Sequence, residues 1–380
     1  MHGRNPLLPF EICMPDAEAH VMPDGGVYLY GSLDTSGDKY CSEKYVSAYS
    51  RDMHNWNVTD MPSFTTGEVP WAEKNVCLYA PDALQKDGKY YLYFCMSDDS
   101  EGVAVSDDPK GPFAYAARIP VKGIDPAVFV DRDGAAYYYW GQYSSKGAKL
   151  NDDMTSLDTN SIVDGLVTEK EHHFHEGSSM RRRGDIYYYV FADISRGRPT
   201  CLGYATSKSP LGPFTYRGVI IDNSGCDPKS WNNHGSIEEI DGKWYVFYHR
   251  SSGRCEYYRR VCCEPIYFDE DGLIPEVKIT SQGAGEPLHA GECIPAYLTC
   301  GLTAGSYIEQ DGSVILKSGG TAVFRYFDSD CGQGTLAVNG EGDAGDIRLE
   351  SVKAENGLYE VTIVNTGEEA FVMYSFKIGS

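Results

Sequence analysis

An all-β fold, a five-bladed β-propeller followed by a smaller C-terminal β-sandwich, is what this 380-residue sequence predicts, and three observations predict it. Runs rich in Tyr, Val, Phe and Trp, bounded by Gly, Pro, Asp and Asn, dominate the chain, and no long apolar pattern of helical period appears. Five of these runs follow an Asp–Gly-type turn: DGGVYLYGS from Asp24, DGKYYLYFC from Asp87, DGAAYYYWG from Asp133, RGDIYYYVF from Arg183 and DGKWYVFYH from Asp241. Counted from Asp24 through Asp87, Asp133, Asp185 and Asp241, the intervals are 63, 46, 52 and 56 residues, room for one four-stranded sheet and its loops per copy.

The elements follow in order. Asp–Gly pairs tolerate positive φ at both central positions and so favour hairpins, which makes each copy a strand, a tight turn and a second strand. A weaker repeat marks the outer part of a blade: YSRDMHNWNV from Tyr49, SDDPKGPFAY from Ser106 and SKSPLGPFTY from Ser207 each follow a short strand. Near residue 288 the tyrosine runs stop. Beyond it come short alternating strands separated by glycine-rich turns: SVILKS, TAVFRYF, GTLAVNG, DIRLESV, YEVTIVN and AFVMYSFKI. We therefore expect a propeller over 1–288 and a β-sandwich over 289–380. The second region has no Trp and few aromatics beyond Tyr307, Tyr326 and Tyr374, which favours a buttressing role over a second sugar site.

Composition excludes several function classes. A formal net charge of −22 opposes binding to nucleic-acid phosphates, and no apolar stretch approaches the roughly 20 residues of a membrane span. The opening MHGRNPLLPF lacks the basic-then-apolar pattern of a signal peptide, so a cytoplasmic location is expected. The twelve cysteines contain no CxxC pair, and Cys95, Cys262 and Cys263 lie in strand-like runs, which predicts reduced core thiols.

One ionisable residue precedes four of the five turns at nearly constant offset: Asp16, Asp125, Glu176 and His234 lie 8, 8, 8 and 7 residues before the turn pair. In a propeller the innermost strands line one axis, so these side chains are expected to converge. Converging carboxyls suit glycosidic bond cleavage, where one protonates the leaving oxygen and another activates water. A third acid beside the proton donor discourages its ionisation by like-charge repulsion. Asp82, in YAPDAL, is only five residues before its turn and is expected to be structural at the channel rim. His172, His173 and His175 read as a loop, and Arg181, Arg182 and Arg183 as a solvated hairpin end. Trp71 and Tyr79 are candidates for a sugar-stacking wall, with a buried structural role equally open.

These motifs, in this order, resemble glycoside hydrolase family 43 over residues 5 to about 285. The resemblance implies five-bladed enzymes that release α-L-arabinofuranose or β-D-xylose with inversion. It makes Asp16 in PDAEAHV the general base, Asp125 in GIDPAVF the acid that tunes and orients the proton donor, and Glu176 in HEGSSM the general acid. It makes His234 in NNHGSI a residue of the channel centre, associated with a possible structural calcium, and Arg259 in RRVCCEPIYF a sugar contact in preference to Arg260. No cofactor is implied for the chemistry. Two departures stand out: Ala17 and Glu18 follow Asp16 where relatives carry Asp–Pro, which brings in Glu18 as a competing acid, and Ser178 replaces a common Pro. The expected activity is exo-release of terminal pentose, α-L-arabinofuranose ahead of β-D-xylose, from short plant-derived oligosaccharides. The alternatives are a β-D-xylosidase and a sugar-binding propeller without catalysis.

Overall fold

The structure, a computed structural model, describes residues 3–379; Met1, His2 and Ser380, at the outer ends of the two expected regions, lie outside it. Five antiparallel sheets follow one another along the chain between Glu18 and Ile266. The first strand of each is β1 (Glu18–Val21), β2 (Asp82–Lys86), β3 (Ala127–Val130), β4 (Phe174–Arg183) and β5 (Ser236–Ile240). Four sheets have four strands and the fifth has three. The first strands touch in a closed cycle, β1 to β2, β3, β4, β5 and back to β1.

The tyrosine runs form the second strand of each sheet, and their composition follows from burial on both faces. Successive side chains of a strand point to opposite sides, so a strand between two neighbouring sheets is apolar throughout. Tyr28 and Tyr30 pack with Leu92 and Phe94 of the next sheet, whereas Leu29 packs with Phe247 and Val261 of the fifth. Tyr93 then meets Val128 and Tyr138, and Tyr137 and Tyr139 meet Tyr187 and Tyr189. Tyr188 and Val190 meet Ile237 and Val246. Five cores thus lie between five sheets, and the one between fifth and first closes the cycle. The turns behave as their sequences require at two positions: Asp87 and Gly88 have φ of 52° and 80°, Asp241 and Gly242 of 50° and 76°.

The N-terminal segment fastens the fifth sheet. Leu7 N–H donates to Val261 O at 3.0 Å. The fully buried Asn5 side chain accepts from Cys263 N–H at 2.9 Å and donates to Cys263 O at 3.0 Å, to Glu264 Oε1 at 2.9 Å and to Thr280 O at 3.0 Å.

Residues 294–379 form two further sheets around a separate core. One joins Gly301–Leu302, Thr321–Phe327, Tyr359–Asn365 and Ile347–Lys353; the other is built on Phe371–Gly379. Phe324 and Phe376 meet across them with ring centroids 4.7 Å apart. All twelve cysteines are free, and ten are buried. Among the described residues no helix is long and apolar enough to cross a membrane.

Candidate active site

The residues predicted from the repeat meet at the starts of the first strands. Asp16 precedes β1 and Asp125 precedes β3, each with left-handed backbone, φ 58° and 56°. That conformation is uncommon outside glycine, and Asp is among the residues that tolerate it best. Glu176 lies in β4 at a register shift, and His234 precedes β5. His234 Nδ1 is 3.9 Å from Asp16 Oδ1 and 3.8 Å from Asp125 Oδ2. Asp125 Oδ2 accepts from the N–H of Gly177, next to Glu176, at 3.0 Å. Gly177 has φ +75°, and a Cβ there would stand 3.0 Å from His234 Cδ2, so only glycine lets β4 pass this close to the imidazole. Asp16, Asp125 and His234 are buried, while Glu176 is partly open to solvent.

Electrostatics separates the acids. Burial works to raise the Asp16 pKa, but the Arg259 guanidinium, with the His249 hydrogen bond and the charges of His249 and His234, pulls it well below the ordinary carboxylate range. Arg259 Nη1 donates to Asp16 Oδ1 at 2.9 Å, while its Nε and Nη2 grip Asp34 at 2.9 and 3.0 Å. Asp125 moves the other way: burial first, then the charges of Glu176 and Asp16, push its pKa well above the ordinary range. His234 is driven down by burial, against Asp16 and Glu176, and is therefore a neutral imidazole at physiological pH. One carboxylate fixed as an anion thus sits near a second that burial and its neighbours' charges hold against ionisation, the kind of electrostatic division that acid and base chemistry uses.

Other residues fall into place around this centre. Tyr79 is half-buried, its carbonyl accepts from the Tyr45 hydroxyl, and burial raises its own pKa to about 12, with the Asp125 charge a smaller contribution. Trp71 belongs to the second sheet: it stacks on Phe94, donates to Ser100 Oγ at 3.3 Å and lies 6.0 Å from the Arg118 guanidinium. None of those partners is one of the three acids. Arg259 is the site arginine, whereas Arg260 turns away to Phe10 O. The sequence reading missed Asp34, His249, Gln142 and Tyr40. Gln142 Nε2 donates to Glu176 Oε2 at 2.7 Å, and the Tyr40 ring lies 4.6 Å from the Arg259 guanidinium carbon. Asp34, Tyr40 and Gln142 come from loops outside the matching positions, and His249, though it ends the quoted run DGKWYVFYH, has no histidine counterpart in the other four runs.

Three expectations need correction. Arg181 is not solvated: its Nη2 donates to Glu18 Oε2 at 3.0 Å and its Nε to Glu238 Oε2 at 2.8 Å, and Arg182 pairs with Asp131. Strand alternation turns Arg181 inward from β4, where buried acids demand a cation. Asp82 is fully buried rather than at a rim, 2.6 Å from His20 Nε2. The histidine cluster is a loop only at His173: Glu169–His172 is a helical turn, and His175 lies in β4 beside Glu169 at 3.1 Å.

Glu18, His20, Asp82, Arg181 and Glu238 make up a lower storey of the channel, beneath the reactive groups on the same strands. Glu18 does not compete with Asp16, because the left-handed turn at Asp16 breaks the extended alternation and leaves Glu18 facing Arg181. Burial, then Asp82, raises the Glu18 pKa to about 7; burial raises that of Asp82 to about 7 against Arg181. The ligand atoms of Glu18, His20 and Asp82 lie within 4.8 Å of one another, but Arg181 already supplies positive charge there.

Known proteins resemble this chain over most of its length. The model of the family described as Glycosyl hydrolases family 43 matches residues 4–274. A xylosidase/arabinosidase of Thermoclostridium stercorarium is 33% identical over 396 residues, covering 85% of this chain and 82% of that protein. Xylosidase/arabinosidase 43A of Humicola insolens is 34% identical, covering 68% and 95%. Among solved structures, a β-xylosidase/α-arabinofuranosidase from a compost microbial metagenome, bound to xylotriose, is 32% identical with a TM-score of 0.63, covering 72% of this chain and 97% of that one. An arabinoxylan arabinofuranohydrolase from Bacillus subtilis, at 23% identity and a TM-score of 0.62, covers 100% of this chain and 98% of its own, a likeness of fold alone.

Proposed function

The chain belongs to glycosyl hydrolase family 43, and from that premise we propose that it is an inverting exo-glycosidase whose proton donor is Glu176 and whose base is Asp16. The observation that carries this reading is the meeting of Asp16, Asp125 and Glu176 around His234 from three separate strands. Asp16, held as an anion by Arg259, takes a proton from water, and the water oxygen attacks the anomeric carbon. Glu176, the acid open to solvent, gives its proton to the glycosidic oxygen as the bond breaks. Asp125 orients Glu176 through the Gly177 N–H, and burial together with the Glu176 charge holds Asp125 itself against ionisation.

We read the five sheets as the blades of a propeller, supported by the closed cycle of first strands and the five cores between them. The substrate in this reading is a short oligosaccharide ending in pentose, with α-L-arabinofuranose first. β-D-Xylose is the second reading, favoured by the xylotriose bound to a relative 32% identical. Twelve free thiols support a reducing, cytoplasmic setting.

One relative was solved in a calcium-free form, which raises calcium at His234. Calcium takes six to eight oxygen ligands. Around His234 the carboxylates are engaged, Asp16 by Arg259 and Asp125 by Gly177, so the residues present do not form a calcium cage and no step passes through one.

Replacing Glu176 with Gln tests the assignment. Turnover of a pentose-ended disaccharide, whose leaving group needs a proton, should fall by about 10²–10⁴-fold, with little loss on a pentosyl fluoride, whose leaving group needs none. Equal losses on both substrates would remove Glu176 as the proton donor. NMR of the first-formed anomer should show inversion; initial retention would contradict the role of Asp16.

A further inference from the structure

A line of side chains leads from the buried base to solvent. Asp16 and Arg259 are sealed, Tyr40 lies half-exposed with its ring 4.6 Å from the guanidinium carbon, and Tyr257 stands beyond it, also partly exposed. The Tyr40 and Tyr257 rings meet edge to face, centroids 4.7 Å apart at 74°. Tyr40 thus covers the solvent side of the guanidinium that holds Asp16, and Tyr257 lies against its outer edge. Trp71, by contrast, is engaged with Phe94, Ser100 and Arg118 on the second sheet.

The loop carrying Tyr257 is held from outside the five sheets. Gly253 N–H donates to Ile308 O at 2.8 Å. Arg254 lies over the Tyr307 ring at 4.7 Å and 3.5 Å from Glu309 Oε1. Tyr257 is therefore positioned before any substrate arrives, and ordering it on binding costs little.

We propose that Tyr40 and Tyr257 form the subsite for the sugar ring on the leaving-group side of the bond, a reading that rests on the glycosidase chemistry proposed above. An exo-enzyme binds its terminal ring between base and acid, so the next ring must leave toward solvent. An aromatic pair at that exit offers its apolar surface to the C–H face of a pyranose, while the hydroxyls stay hydrated.

The test compares two substrates in the full chain: a disaccharide ending in pentose, and the pentosyl fluoride, which has no ring in the leaving group. In Tyr257→Ala the ratio of kcat/KM, disaccharide over fluoride, should fall about tenfold, chiefly through KM, and Tyr257→Phe should restore it. A ratio unchanged in Tyr257→Ala overturns the subsite, whether or not both rates drop together. A ratio that Tyr257→Phe fails to restore overturns the stacking role. If the unaltered chain cleaves neither pentose substrate, the glycosidase reading falls and the subsite falls with it.

Discussion

Arg259 donates to Asp16 at 2.9 Å while a bidentate bond to Asp34 fixes its other edge, so a guanidinium with almost no access to water sets the charge of the proposed base. Lysine cannot hold both carboxylates in that planar fork. Arg259→Lys should lower kcat/KM on the order of 100-fold, the scale of a small misplacement at a reacting centre. It should also move the acidic limb of the pH–rate profile upward, because an ammonium no longer pinned between Asp16 and Asp34 weakens the largest influence opposing the burial of Asp16. An unmoved acidic limb would detach Arg259 from the ionisation of Asp16.

Gly177→Ala should injure the site without removing an ionisable group. A left-handed backbone costs an L-residue about 1–2 kcal/mol, and the added methyl would press on the His234 ring. Lower stability in chemical denaturation, together with a larger loss in kcat than in KM, is the expected pair of results. Unchanged kcat would show that the contact between β4 and His234 has no bearing on the chemistry.

Glu18 and Asp82 should make stability fall as pH rises, while His20, whose pKa burial lowers to about 4, acts the other way below about pH 6.5. Glu18 and Asp82 have folded pKa values near 7, above their ordinary values, so folding takes up protons at intermediate pH. Their contribution is full below about pH 4 and is lost as pH climbs through about 7. In Glu18→Gln the drop in melting temperature between pH 5 and pH 8 should therefore shrink. Identical curves for the two proteins would contradict the raised pKa of Glu18.

Asn5→Ala should be among the most damaging substitutions far from the acids. It strips bonds from Cys263, Glu264 and Thr280, all buried, where groups left unpaired cost about 1–3 kcal/mol each. A stability loss of about 2–4 kcal/mol by urea titration is expected, and a loss below 0.5 kcal/mol, about the size of a neutral surface change, would mean that the N-terminal segment does not fasten the fifth sheet.

Much of this was legible in the chain because a repeat writes itself several times. The Asp–Gly turns placed the hairpins, the tyrosine runs placed the strands buried on both faces, and the constant offset picked out Asp16, Asp125, Glu176 and His234. What stayed hidden depends on partners met only once. Asp34 and Arg259 are 225 positions apart, and Arg181 and Glu18 are 163 apart, so neither pairing leaves a local pattern. Arg181 was misread for that reason: three consecutive arginines look solvated until strand alternation turns the first toward buried acids. Which way Glu18 points depends on backbone conformation, since one left-handed residue at Asp16 re-aims the side chains that follow it and no composition records that.

The interlocked charges of Glu18, His20, Asp82, Arg181 and Glu238 also bear on traffic. They stopper the axis with side chains from four of the five first strands, while the β3 strand closes on them through the Val128 N–H to Asp82 at 2.7 Å. In the propeller reading the axis is then shut at this end. For the proposed glycosidase that leaves no passage through the ring of sheets: a released sugar departs past the acids, along the path by which it entered.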